Sequence, residues 1–142
     1  MALIFVTLVD HYFSVFVSSH MAKSILLVED DPFLTEIYKT KLKEIGYSVE
    51  LAFDGEEAMR KIKEKVPDLV LLDIVLPNLD GWEILRKIKK DEDLKGLKVV
   101  ILSNLGQMKE VEKGLKLGAE KYLIKARYSP SEIVAEIRKI LK

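Results

Sequence analysis

Four short, largely apolar runs in this chain end in residues that an apolar core would not choose. Asp30 and Asp31 follow Ser24–Val28, Asp73 follows Asp68-Leu69-Val70-Leu71-Leu72, Ser103 follows Leu97–Leu102, and Lys125 follows Lys121-Tyr122-Leu123-Ile124. If the runs are strands of one parallel sheet, their ends share an edge, where ligands bind. Three carboxylates crowded there repel one another unless something compensates. A divalent cation and a lysine ammonium are the natural compensation. A carboxylate can attack phosphorus and form an acyl phosphate, provided the repulsion between anion and anion is neutralised. The residue types therefore suit phosphoryl transfer: Asp73 as acceptor, Asp30 and Asp31 as metal ligands, Lys125 and Ser103 on the transferred group. Each also has a plainer reading. Asp31 precedes Pro32 and could be a helix cap, Ser103 could cap the next helix, and Lys125 could be an exposed lysine. The coincidence of all five at strand ends favours the chemistry.

The elements that must position them alternate along the chain. Asp31-Pro32 is a good helix start, and Phe33, Leu34, Ile37, Tyr38, Leu42 and Ile45 recur at helical spacing up to Gly46. Tyr47–Phe53 reads as a strand. Asp54-Gly55-Glu56-Glu57 opens a helix with Ala58, Met59, Ile62 and Val66 on one face, closed by Pro67. Leu69–Leu72 is continuously apolar, as in a strand covered on both faces. The turn Pro77-Asn78-Leu79-Asp80-Gly81 leads to a helix carrying Trp82, Leu85 and Ile88. After the fourth strand, Met108, Val111 and Leu115 mark a helix that runs to Gly118. Glu120–Ile124 is the fifth strand, and Ser129-Pro130-Ser131-Glu132 is a capping box opening a last helix on Ile133, Val134, Ile137, Ile140 and Leu141. Five strands alternating with five helices imply an α/β fold, a doubly wound parallel sheet with helices on both faces.

Composition narrows the chemistry further. At 142 residues and 49% hydrophobic content, the chain suits one domain with a sizeable core. Lys+Arg and Asp+Glu are both 23, so bulk charge gives no argument for nucleic acid or membrane. Without cysteine there is no thiolate metal site or thiol nucleophile, and both histidines, His11 and His20, lie in the first twenty residues. That segment, 1–20, is apolar apart from Asp10 and a few polar breaks, and it lacks the basic start of a secretory signal. It reads as an N-terminal extension to a domain spanning 21–142, too interrupted for a membrane span.

From about Lys23 the chain resembles the receiver domain of two-component response regulators, and is similar to single-domain chemotaxis-type regulators. The resemblance rests on Leu27-Val28-Glu29-Asp30-Asp31, Leu72-Asp73-Ile74-Val75-Leu76-Pro77, Asp80-Gly81, Leu102-Ser103 and Tyr122-Leu123-Ile124-Lys125. It implies a flavodoxin-like strand order 2-1-3-4-5. It implies that Asp73 accepts a phosphoryl group from a phosphohistidine on a sensor histidine kinase or phosphotransfer protein. It also implies Mg²⁺ held by Asp31, Asp73 and the backbone carbonyl of Val75, with Asp30 acting through water. Lys125 would contact the phosphoryl group, Ser103 would swing toward it, and Tyr122 would move inward with that hydroxyl. The implied product is a cytoplasmic signalling switch, not an enzyme on other substrates, working in phosphorelay signal transduction. Its output would go to a downstream target protein, with no nucleic acid and no membrane, since the sequence stops at Lys142 after the fifth helix.

Departures from the family pattern carry their own expectations. Ala126 stands after the lysine where many receivers have proline, which would loosen the following loop. Asn104 replaces a small residue. Val75 and Leu105, two beyond Asp73 and Ser103, cannot orient a hydrolytic water, so a long-lived acyl phosphate is expected. Lys109, Lys113, Lys116 and Lys121 offer an acidic-partner surface or simply a solvated face. Three rival functions are weighed. A haloacid dehalogenase-type phosphatase would want a second Asp where Val75 stands. A receiver-like interaction module that is never phosphorylated would have no use for the intact acids and lysine. A nucleotide or flavin binder would need a Gly-rich loop where Asp30-Asp31-Pro32 lies.

Overall fold

The computed structural model describes residues 22–142. Expectations for residues 1–20 lie outside the described residues. The elements are β1 Ser24–Val28, α1 Pro32–Glu44, β2 Ser48–Ala52, α2 Gly55–Glu64, β3 Leu69–Leu72, α3 Gly81–Lys90, β4 Lys98–Ser103, α4 Met108–Lys116, β5 Lys121–Ile124 and α5 Pro130–Ile140. A 3₁₀ turn, Lys125–Arg127, joins β5 to α5. The sheet order is β2-β1-β3-β4-β5 and every pairing is parallel. The expected α/β fold and order 2-1-3-4-5 are observed.

Two cores explain why the central strands are apolar throughout. Leu26, Val28, Val70, Leu72, Val99 and Ile101 face α2 and α3, whereas Ile25, Leu27, Leu69, Leu71, Val100, Leu102 and Leu123 face α1 and α5. Successive residues point to opposite faces, so both parities must be apolar when both faces are covered. β2 lies at the edge and alternates instead. Helix starts are fixed by side chains: Asp54 accepts from the Glu57 amide at 2.8 Å and Asp80 from the Glu83 amide at 3.0 Å. Ser129 and Glu132 form the expected capping box.

Some apolar residues fall elsewhere than periodicity suggests. α2 ends at Glu64, and Val66 beyond it is half exposed. In α4 the apolar pair Met108 and Leu115 is exposed, and Gly114 is the residue buried against the sheet.

Candidate functional site

The strand ends converge as the parallel topology requires. The Asp73 amide donates to the Val28 carbonyl at 3.0 Å and the Glu29 amide to the Ala52 carbonyl at 3.0 Å, so pairing continues one residue past β1 and β3. This extra step brings Glu29 and Asp73 inward, where they are 2% and 7% exposed. The Lys125 Nζ donates to Asp73 Oδ2 at 2.7 Å and to Glu29 Oε1. Asp73 Oδ1 accepts from the Val75 amide at 3.3 Å. Asp30 lies beside them on the exposed side, and oxygens of Glu29, Asp30 and Asp73 all fall within 4.8 Å of one another.

Asp31 does not join this cluster. Its Oδ1 accepts from the Phe33 and Leu34 amides at 2.9 and 3.2 Å, capping α1. The expected acidic pair, Asp30 with Asp31, is therefore corrected to Glu29 with Asp30. The physical reason is that Asp31 is held by the first amides of α1 through Oδ1, and its carboxylate is not among the oxygens that converge at the strand ends. A signal was present in the sequence: Asp immediately before Pro32 is the natural cap, which leaves Glu29 and Asp30 for the edge. Asp31→Ala is expected to lower stability by about 1 kcal/mol through the lost cap. Divalent-cation affinity, measured by titration calorimetry, is expected to change little, whereas Asp30→Ala should weaken it strongly.

The electrostatics follow from burial and proximity. Burial pushes the Glu29 carboxyl above its ordinary value, against the pull of the Lys125 ammonium bonded to it, and the Asp73 charge adds to the rise. Burial also pulls the Lys125 ammonium down, but the hydrogen bonds to Asp73 and Glu29 more than offset this and its pKa stands above the ordinary lysine value. Glu29 and Asp73 thus share one ammonium, and Asp30 adds a third carboxylate beside them without a cation of its own. An Mg²⁺ ion takes oxygen ligands at about 2.1 Å in an octahedron and keeps several waters. A compact oxygen set, excess negative charge and one solvent-facing member fit that ion.

Ser103 is fully buried, and its Oγ accepts from the Leu105 amide at 3.3 Å. It caps no helix, because the residue before α4 is Gln107. Tyr122 lies inward, 8% exposed, and its hydroxyl donates to the Leu105 carbonyl. Leu105 is thereby bonded to both hydroxyls. Burial raises the Tyr122 pKa. The chain after Lys125 forms a 3₁₀ turn that includes Ala126, with the Tyr128 amide donating to the Lys125 carbonyl at 3.4 Å. Of the four lysines, Lys121 pairs with Glu136, and Lys113 sits 4.2 Å above the Trp82 ring. Lys109, Lys113 and Lys116 line a shallow groove with Arg86 between α3 and α4.

A hydroxyl, a lysine and an acid cluster at the C-terminal edge of a 2-1-3-4-5 sheet match one family model, the response regulator receiver domain, over residues 25–138. The chain belongs to that family. A "Probable transcriptional regulator ycf27" of Guillardia theta is 39% identical over 120 residues, covering 84% of this chain and 46% of the relative. The "DNA-binding dual master transcriptional regulator RpaA" of a Synechocystis strain is 32% identical, covering 83% of this chain and 48% of the relative. The chain therefore spans about half the length of the curated relatives it matches. Among solved structures, a CheY-like response regulator receiver domain protein from Methanospirillum hungatei superposes with a TM-score of 0.77 at 31% identity, covering 84% of this chain and 94% of that one. Receiver domains are signalling switches rather than enzymes acting on a separate substrate. Among the described residues, no helix is long and apolar enough to cross a membrane.

Proposed function

We propose that this receiver domain, residues 21–142, is an Mg²⁺-dependent phosphoryl acceptor at Asp73, loaded by a sensor histidine kinase or phosphotransfer protein in the cytoplasm. The observation that carries the reading is the bond from Lys125 to Asp73 beside the Glu29–Asp30–Asp73 oxygen cluster. A carboxylate oxygen of Asp73 attacks the phosphorus of a phosphohistidine, the P–N bond breaks, and the imidazole leaves with its electron pair and takes a proton. Glu29, Asp30 and Asp73, with the Val75 carbonyl, would hold the cation, which screens charge between acceptor and phosphoryl oxygens. Lys125 orients Asp73 before transfer and meets a phosphoryl oxygen after it. Ser103 uses its acceptor site on the Leu105 amide, which leaves its O–H free to donate to the same group. Val75 does not supply the second acid that a haloacid dehalogenase-type phosphatase needs.

The test is incubation with acetyl phosphate, with and without Mg²⁺, followed by intact mass. Gain of one phosphoryl group only with Mg²⁺ supports the reading. No gain under either condition overturns it in favour of an interaction module that is not phosphorylated.

Phosphorylation would shift a pre-existing equilibrium at Ser103 and Tyr122 and so the face built from α4, β5 and α5, where a downstream target protein docks. Because relatives include a DNA-binding regulator, a second output reading is control of a DNA-binding partner or segment. Phosphorylation-dependent retention of a transcription factor, against retention of duplex DNA itself, separates the two. The acyl phosphate should be long-lived, since Val75 and Leu105 carry no side-chain donor or acceptor to align water. Val75→Asn with Leu105→Glu is expected to speed dephosphorylation at least about tenfold. An unchanged decay rate of the phosphorylated species would refute this.

A further inference from the structure

α4 packs on β5 with few fully buried side chains. Its one buried residue is Gly114, whereas α2 and α3 each bury four residues, and its N-cap Gln107 makes no side-chain capping bond. Near that end a Glu110 carboxylate oxygen is buried without a partner. Val111 packs against the core half-buried, and the one fully buried position of α4 has no side chain.

A Cβ added at Gly114 would lie 2.7 Å from Ile101 Cδ1, 2.8 Å from Tyr122 Cδ2 and 3.3 Å from Tyr122 Cε2. Ile101 and Tyr122 are cross-strand partners in β4 and β5. The backbone gives no reason for glycine here. Gly46 and Gly118 occupy the left-handed region at φ 101° and 109°, but Gly114 lies within an ordinary helix. Glycine is a poor choice in a helix interior, because it gives up conformational freedom and packs nothing. What it provides is an absent methyl group, directly over the edge of the Tyr122 ring. That ring, through its hydroxyl on the Leu105 carbonyl and the Leu105 amide on Ser103, forms the physical connection to the phosphoryl site.

We infer that Gly114 is a positioning residue of the switch: its missing side chain forms the recess in which Tyr122 lies inward beneath α4. The state of Ser103 is thereby transmitted to the position of that helix. The link to Ser103 rests on the function proposed above, but the recess itself does not. With any larger residue at 114, the ring turns outward or α4 lifts, and the inward tyrosine is lost as an option.

The experiment uses the full chain labelled with 3-fluorotyrosine, the Tyr122 fluorine signal being identified by its loss in Tyr122→Phe. Without any phosphoryl donor, the wild-type signal should be shielded from a soluble paramagnetic probe. Shielding should be lost in Gly114→Ala with Ile101→Val, where valine removes the Cδ1 contact and leaves the tyrosine conflict alone. A signal still shielded in that variant overturns the inference. If the variant unfolds, a double-mutant cycle on urea stability decides. Gly114→Ala should be less harmful in a Tyr122→Leu background than in the wild type, and an equal cost in both overturns the inference. In the folded variant, acetyl phosphate should still label Asp73, while the phosphorylation-induced change in α4 amide exchange disappears. Wild type that takes no label would refute the phosphoryl-acceptor reading alone, because the shielding result is read without donor.

Discussion

Asp73→Asn is expected to abolish phosphorylation by acetyl phosphate completely while leaving the fold intact. The amide keeps the shape and can still meet the Lys125 and Val75 neighbourhood, but its nitrogen and oxygen are far poorer nucleophiles toward phosphorus than a carboxylate. The change also removes one of three crowded negative charges. Glu29, raised in part by the Asp73 charge, should titrate nearer its ordinary value, and Lys125 retains Glu29 as partner. Stability without cation should therefore be held or improved, and the gain on adding Mg²⁺ should shrink. Intact mass and urea melts with and without Mg²⁺ check both halves. Label on Asp73→Asn equal to wild type would move the acceptor to another residue.

Lys125→Met should show the opposite pattern. Glu29 and Asp73 are both buried and lose the ammonium they share. Removing one partner of a buried ion pair costs about 3–5 kcal/mol, because the remaining charge is left uncompensated. The pocket is open on the Asp30 side and the acids can take up protons, so the low end, about 3 kcal/mol, is expected in cation-free buffer. Mg²⁺ should restore a larger share of stability in this variant than in wild type, since it supplies the positive charge the lysine no longer does. Urea melts over a series of Mg²⁺ concentrations measure this. Equal Mg²⁺ gains in the two proteins would show that cation and ammonium do not share the same negative charge. The phosphoryl group would also lose its ammonium contact, so labelling of Asp73 should slow sharply.

The fold was legible because the signals agreed at every level. Apolar runs of strand length, Pro or Ser at helix starts, and glycines at helix ends left a doubly wound sheet as the natural solution. Asp73, Ser103 and Lys125 were legible for the same reason: each ends a run and has no better local use. Glu29 was not, because it reads as the last residue before a more conspicuous Asp-Asp pair. Only the pairing of its amide with Ala52 shows that the strand path runs one residue further. Gly114 was hidden more deeply. Periodicity counts side chains, and Met108 and Leu115 drew the predicted apolar stripe to the outside of α4. A contact made by the absence of a side chain leaves no hydrophobic mark in a sequence; the nearest clue was a glycine where a helix former would do.

Helix α3 begins so close to Asp73 that its first residue has no room for a methyl group. A Cβ at Gly81 would lie 2.4 Å from the Asp73 carbonyl oxygen and 2.6 Å from Ile74 Cα. The loop bearing Asp73 is thus braced from behind by bare helix backbone. An alanine there is expected to displace the backbone that carries Asp73, although the substitution lies eight residues further along the chain. Variants selected for altered phosphotransfer should leave position 81 untouched and accumulate on the solvent side of the pocket.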